Sequence, residues 1–359
     1  MSPETRELLR ELSEAFGVSG YEDEVRAAMA RHLKSIAEVT YDRLGSLIAK
    51  QQGSAAEPRV MLPAHMDEVG LVVRHITKDG FLRFAQAGGF WSQVMLGQRW
   101  VVRTQGKDVA ACTGARAPHL LTEDERKKLV EPKDMFLDIG AKNREQALEM
   151  GVRPGDPAVP FSPFADLGNG RLLGKAWDDR VGCALVIEAL RRLAECGHPN
   201  TVYAVGTTQE EVDLVGAQTS ARAIAPQVAI IAEVTVASDV PGSTQDGSYS
   251  ELGKGAGICI QDAGMIPSRR LREFVAGVAE EAGIPTQYVT LERGTTDGTR
   301  IQVHGEGVPT LYVGPPARYV HSHAGIIDVD DFDNTLKLLV EVTRRLDGDV
   351  VADLTRYEV

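Results

Sequence analysis

The side chains of this chain that could do chemistry gather at five points. His65-Met66-Asp67 closes the apolar run VMLPA. In extended chain positions i and i+2 point to one side, and a metal-bound imidazole hands its other N–H to a carboxylate. Asp67 is spaced to do that for His65, or to anchor it. Trp177-Asp178-Asp179-Arg180 opens an apolar helix, where either aspartate can serve as N-cap. Glu210-Glu211 follow the apolar strand VYAVGTTQ, an odd place for two charges unless something cationic compensates them. Glu233 sits inside the run VAIIAEVTV, and a carboxylate in a central strand is costly when unpaired. His321-Ser322-His323 follow TLYVGPPARYV.

Singly, each point has a mundane reading: a capped strand end, a helix start, a solvated turn, a surface imidazole. Together they sit at the carboxyl ends of expected strands, where α/β sheets bind ligands. Carboxylate oxygens plus imidazole, with no thiolate, suit zinc, cobalt or manganese. Two histidines and several acids suffice for two ions sharing one carboxylate. Ions about 3.5–4 Å apart activate a bridging water and clamp the reacting carbonyl.

The elements that must hold these groups follow from hydrophobic periodicity. Leu8, Leu9, Leu12 and Phe16 share one helical face that ends at Gly17. A second helix covers EDEVRAAMARHLKSI, and VTYDRLGSLIAKQ gives two strands around a Leu-Gly turn. From Leu71 to Pro160 short alternating runs (LVVRHI, FLRFA, RWVVRT, MFLDIGA) predict a small β-rich unit, ended by the Pro- and Gly-dense GVRPGDPAVPFSPF. Beyond it helices alternate with strands, and QVAIIAEVT reads as a strand covered on both faces. The expected fold class is α/β, a three-layer sandwich around a mostly parallel central sheet. It is built from residues 1–70 and 161–359, with residues 71–160 inserted as a β-rich domain.

The chain has 359 residues, with 39 basic against 51 acidic side chains and a net charge of −12. A negative chain repels phosphate backbones, so no nucleic-acid partner is expected. No uninterrupted apolar stretch is long enough for a membrane span, so no membrane partner is expected. MSPETRELLRELSEAFG lacks the basic and apolar regions of a signal peptide. Cys112, Cys183, Cys196 and Cys259 stand far apart, as reduced cytoplasmic thiols do. A cytoplasmic location is expected. Phosphate loops, GxSxG elbows and HExxH helices are missing from the sequence.

AHMDEVG, GKAWDDRVG, QEEVDLVGA and RYVHS resemble the M42 family of cytoplasmic di-metal aminopeptidases, some of whose relatives carry an endoglucanase label. FGVSGYEDEVR, TGARAPHLL, DIGAKNREQALEMGVRPGD, DAGMIPSRRL and GTTDGTRIQVHGEGVPT agree in the same order, so the resemblance runs over nearly the whole chain. It implies that His65 and Glu233 bind one ion, that Glu211 and His321 bind the second, and that Asp178 bridges both. It further implies Glu210 as general base to a bridging hydroxide, Asp67 as the residue orienting His65, and a PDZ-like middle domain. The implied assembly is a homo-oligomer, a hollow dodecamer, and the implied substrates are short peptides with a free N-terminus. The four positive charges of two divalent ions would balance Asp178, Glu211, Glu233 and one hydroxide.

Three stretches depart from the family pattern. Glu233 replaces a usual Asp, which keeps a carboxypeptidase or N-acyl amino acid deacylase reading open. HSHAG replaces HSxxE, leaving His323 as extra ligand, substrate contact or surface ring, the last being favoured. GTTDG replaces GGTDA, where Asp297 faces a substrate amine or merely a turn. A glucanase would leave the histidines without purpose, and a non-catalytic scaffold would have no use for so complete a donor set.

Overall fold

The computed structural model describes residues 1–243 and 247–357. Its main sheet has eight strands, in the spatial order Glu38–Tyr41, Leu47–Gln52, Thr201–Thr207, Arg59–His65, Val228–Ala232, Thr310–Gly314, Ala256–Asp262 and Thr286–Leu291. Four of the seven neighbour pairings are parallel and three antiparallel, so the fold is mixed α/β. The apolar runs fall where burial is complete: every residue of Val228–Ala232 is buried, as is all of Arg59–His65 beyond its first position. A run apolar at every position suits a strand covered on both faces.

Parallel register does the positioning. Thr207 pairs with His65, and Ala232 pairs with Val313. The carboxyl ends of four adjacent strands therefore reach one edge together. The chain leaving them carries His65, Glu210-Glu211, Glu233 and His321. The helix Trp177–Cys196 packs on the strand Arg59–His65 and brings Asp178 to the same edge. Gly182 permits this approach, because a Cβ there would lie 2.2 Å from the carbonyl oxygen of Ala232.

A five-stranded sheet runs beside this edge in the order Ala165–Gly168, Arg171–Gly174, Gly325–Asp328, Pro316–Arg318, Thr235–Val236. Between His65 and Ala165 the chain forms a closed six-stranded barrel of Gly70–Ile76, Leu82–Ala87, Phe136–Asp138, Asp108–Gly114, Arg99–Arg103 and Pro157–Pro160. The barrel has its own apolar core around Leu71, Trp100 and Leu137, separate from the large core of the main sheet and its helices. Phe16, Val18, Ala87 and Val159 form a small cluster joining the two. Among the described residues, no helix is long and apolar enough to cross a membrane.

Candidate metal centre

The site is built around two imidazoles that face one carboxylate. His65 is buried, and its Nε2 lies 2.8 Å from Asp178 Oδ1, 3.6 Å from Glu233 Oε2 and 4.0 Å from Glu210 Oε2. His321 Nε2 lies 3.1 Å from Asp178 Oδ2 and 3.3 Å from Glu211 Oε1. Asp178 thus offers one oxygen to each histidine. It is free to do so because its backbone (φ −83°, ψ 102°) is not helical, although it sits at the start of a helix. Asp179, next to it, takes the capping role: its carboxylate accepts from Gly182 N at 3.0 Å and from His65 N at 3.2 Å.

The far nitrogens of the two rings are fixed by the backbone. His65 Nδ1 lies 3.0 Å from the carbonyl oxygen of Asp67, against 3.5 Å from Asp67 Oδ1. The Asp67 carboxylate accepts instead from Ser19 Oγ at 2.6 Å, Glu210 N at 2.9 Å and Glu211 N at 3.2 Å. Its carboxylate therefore holds the Glu210-Glu211 turn, while its main chain orients the ring. His321 Nδ1 lies 2.9 Å from the carbonyl oxygen of Gly89, a residue just past the barrel strand Leu82–Ala87.

Negative charge is in excess here. Burial pushes Glu210 and Glu233 well above the usual carboxylate range; His65 opposes this, while Asp297 adds to the rise at Glu210 and Asp179 to that at Glu233. Burial also raises Glu211. For Asp178 burial acts upward, but hydrogen bonds from His321 and His65 win and carry it well below the ordinary range. Burial would lower His321, yet its hydrogen bonds to Asp178 and Glu211 push it up to about 11. His65 is likewise raised, burial being outweighed by the charges of Glu233 and Glu210. Protons alone relieve such crowding poorly, whereas divalent cations relieve it directly.

The donor atoms are close enough for that. His65, Asp178 and Glu233 form one group and Asp178, Glu211 and His321 another, with ligand atoms within 4.8 Å of one another in each. Glu211 Oε1 is buried and faces His321 Nε2 at 3.3 Å, an acceptor aimed into the cage. The residues fit two divalent cations with Asp178 common to both. A third overlapping group, His65, Glu210 and Glu211, meets the same distance limit. The cage opens into a cavity of about 960 Å³, walled by both sheets, the barrel residues Trp91 and Val94, and the segment Leu291–Thr296.

The structure brings His65, Asp67, Asp178, Glu210, Glu211, Glu233 and His321 together, and two expectations need correction. Glu233 is not within its strand but directly after Ala232, where parallel neighbours end, so its charge faces the cavity rather than the sheet interior. His323 is not a surface ring. It is 6% exposed, packed edge-on against Trp100 at 4.6 Å and Phe90 at 5.3 Å between ring centroids. Burial drives its imidazole down to about 4, so it is a neutral aromatic filler between barrel and sheet. Asp297 stands outside the cage: it is buried, its Oδ2 accepts from Thr207 Oγ1 at 2.6 Å, and burial raises it to about 6.

Sequence reasoning passed over the residues behind the cage. Arg180 is wholly buried and donates to the carbonyls of Met66 (2.8 Å), Leu12 (2.7 Å), Ala15 (3.0 Å) and Gly17 (3.2 Å) and to Glu68 Oε1 (2.9 Å). Lys175 Nζ shares the same Glu68 oxygen at 2.6 Å. The signal was present in HMDEVG and GKAWDDRVG, where Glu68, Lys175 and Arg180 stand beside the chemical residues, but the pairing across 107 and 112 positions is tertiary.

This geometry defines a class before it defines a family: α/β proteins that gather carboxylates and imidazoles at the carboxyl edge of a sheet, with a donor set suited to divalent cations. The model of the M42 glutamyl aminopeptidase family matches residues 45–338, and the chain belongs to that family of exopeptidases. A second model, AMPT, matches residues 4–29. The lysyl aminopeptidase of Pyrococcus furiosus is 38% identical over 337 residues, covering 92% of this chain and 94% of that protein. The TET aminopeptidase of the marine sediment archaeon Thaumarchaeota archaeon SCGC AB-539-E09 superposes with a TM-score of 0.96 at 45% identity, covering 98% and 99% of the two chains. The Pyrococcus horikoshii TET1 peptidase, which can assemble into a tetrahedron or a large octahedral shell, gives 0.86 at 33% identity, with 95% and 100% covered.

Proposed function

We propose that the chain is a di-metal aminopeptidase that removes N-terminal residues from short peptides. The observation that carries this reading is Asp178, whose two oxygens face His65 and His321 separately, each histidine backed by a further glutamate. In this reading His65, Asp178 and Glu233 hold one ion, and Asp178, Glu211 and His321 the other. The ions, zinc or cobalt by the donor set and manganese as a further candidate, supply Lewis acidity that acidifies water and polarises the scissile carbonyl. Glu210 is the general base: its raised affinity for protons suits it to take one from the attacking water and return it to the leaving amine. Asp67 keeps Glu210 and Glu211 in line through their backbone N–H groups.

The same reading makes residues 1–70 and 161–359 the catalytic α/β domain, a three-layer arrangement about the main sheet, with residues 71–160 as a PDZ-like assembly domain. The shells formed by the Pyrococcus horikoshii relative support a homo-oligomer for this chain, a dodecamer being the expected form, at work in the cytoplasm. The test is metal analysis of the purified protein together with turnover of aminoacyl and N-acyl-amino-acid chromogenic substrates and a soluble glucan. Two divalent ions per chain and activity on free-amine substrates alone are expected. Activity only on acylated substrates would replace the aminopeptidase reading with a deacylase one.

A further inference from the structure

One charge on the cavity wall has no place in the cage. The segment of residues 291–296 runs on from the end of the edge strand Thr286–Leu291 and lines the cavity. It is pinned on both sides of its turn: Gly294, at φ +115°, accepts at its carbonyl from Ala263 N at 3.0 Å, and Thr296 Oγ1 donates to Asp262 Oδ2 at 3.1 Å. Arg293 directly precedes the first of these anchors and stands exposed. Among the described residues nothing forms a hydrogen bond or ion pair with its guanidinium. The neighbouring acid on the same wall, Asp213, is already held by Arg300 at 2.8 Å. The same cavity has apolar wall residues, among them Val234, Val236, Ala237 and Val240.

The cavity wall therefore carries charges of both signs. On the reading given above, the ions neutralise Asp178, Glu211 and Glu233, leaving on the cavity wall Glu210 as negative charge and Arg293 as a positive charge with no partner among the described residues. A guanidinium is always charged and presents a planar fork that matches a carboxylate with two parallel hydrogen bonds. An unpaired one loses no existing partner when it takes a ligand. A short peptide carries the complementary pattern, with its ammonium at the end to be cut and a carboxylate further along. We propose that Arg293 is a specificity residue that binds a carboxylate of the substrate, supplied either by an acidic side chain or by the C-terminus of a short peptide.

The proposal rests on the aminopeptidase reading, and the experiment separates the two. One arm compares glutamyl with leucyl p-nitroanilide, which differ in a side-chain carboxylate and have no C-terminal one. The other compares Leu-Gly-Gly with Leu-Gly-Gly amide. In one arm the metal-loaded wild type should favour the carboxylate-bearing member about tenfold or more in kcat/KM. Arg293→Ala should bring that ratio close to one by raising KM with kcat little altered, and Arg293→Lys should keep part of it. Titration calorimetry of the same two tripeptides and of free glutamate and leucine, on Glu210→Gln protein with and without Arg293→Ala, reads the preference without turnover. A wild type that turns over nothing but binds the carboxylate forms through Arg293 overturns the peptidase reading alone. Identical ratios and identical binding with and without Arg293 overturn the proposal.

Discussion

At the scale of single residues, the site separates two tasks that adjacent glutamates perform. Glu211 offers a buried oxygen to the cage, facing His321, whereas Glu210 sits farther from His65 than Asp178 or Glu233 do. Glu210 stands outside the two donor groups that share Asp178, whereas Glu211 belongs to one of them, so the two side chains are not interchangeable. Glu210→Gln keeps shape and hydrogen bonding but cannot move a proton. It is expected to lower kcat by about 10²- to 10⁴-fold while two ions per chain remain, read by steady-state kinetics and elemental analysis. Full activity in that variant would remove Glu210 from the chemistry; loss of the ions would make it a ligand instead. His65→Ala is the contrast. It removes the ring that meets Asp178, Glu233 and Glu210 at once, so the same elemental analysis should show both sites depleted.

At the scale of elements, the cage is a by-product of where strands stop. The apolar runs VMLPA, VYAVGTT and VAIIA announced buried strands, and polar residues just past them announced an edge that binds something. That much was legible because burial leaves a local imprint on sequence. What stayed illegible was set by chain segments meeting from afar: the Gly89 carbonyl under His321, the burial of His323 between Phe90 and Trp100, and the capture of Glu68 by Arg180 and Lys175. No periodicity encodes such contacts. Two predictions belong here. A Cβ at Gly314 would lie 1.4 Å from the carbonyl oxygen of Glu233, so Gly314→Ala must push apart the two strands that aim Glu233. A stability loss of about 3 kcal/mol or more is expected in denaturant unfolding, together with reduced metal content. Gly277→Ala, in the helix Arg269–Glu281 with nothing within 4 Å, should instead gain about 0.5–1 kcal/mol, and equal behaviour of the two would deny the close approach. The second concerns Lys175, which burial lowers to about 8 from an unfolded value near 10.5, with Glu68 resisting. Between those values the unfolded chain holds a proton that the native one has released, so this residue makes stability rise with pH. The melting temperature of the wild type relative to Lys175→Met should therefore increase from pH 7.5 to pH 9.5. A flat difference would mean that the ammonium stays charged throughout.

For the whole molecule, the cage doubles as a joint. His321 ties the barrel to the sheet edge through Gly89, Asp178 belongs to the long helix, Glu233 directly follows a central strand, and Glu211 belongs to the turn that Asp67 grips. Ions held there would bind five separate stretches of chain, His65 supplying the fifth, and an unfolded chain has no such site. Binding to the native state alone stabilises it by mass action, by about 2.7 kcal/mol at a hundredfold excess over Kd and about 4.1 at a thousandfold. Removing the ions also restores repulsion among carboxylates that burial leaves unscreened. Chelation is therefore expected to lower the melting temperature by several degrees, since about 1 kcal/mol shifts a chain of this size by a few degrees at most. Zinc or cobalt should restore it in a concentration-dependent way, and His65→Ala should melt near the chelated wild type and ignore added metal. Because the joint spans barrel and sheet, both should lose protection from hydrogen exchange on chelation, with the segments around Gly89 and His321 affected together. A melting temperature indifferent to chelator, in protein whose His65→Ala variant melts identically, would mean that these carboxylates and imidazoles are balanced by protons alone and that no cation belongs to the fold.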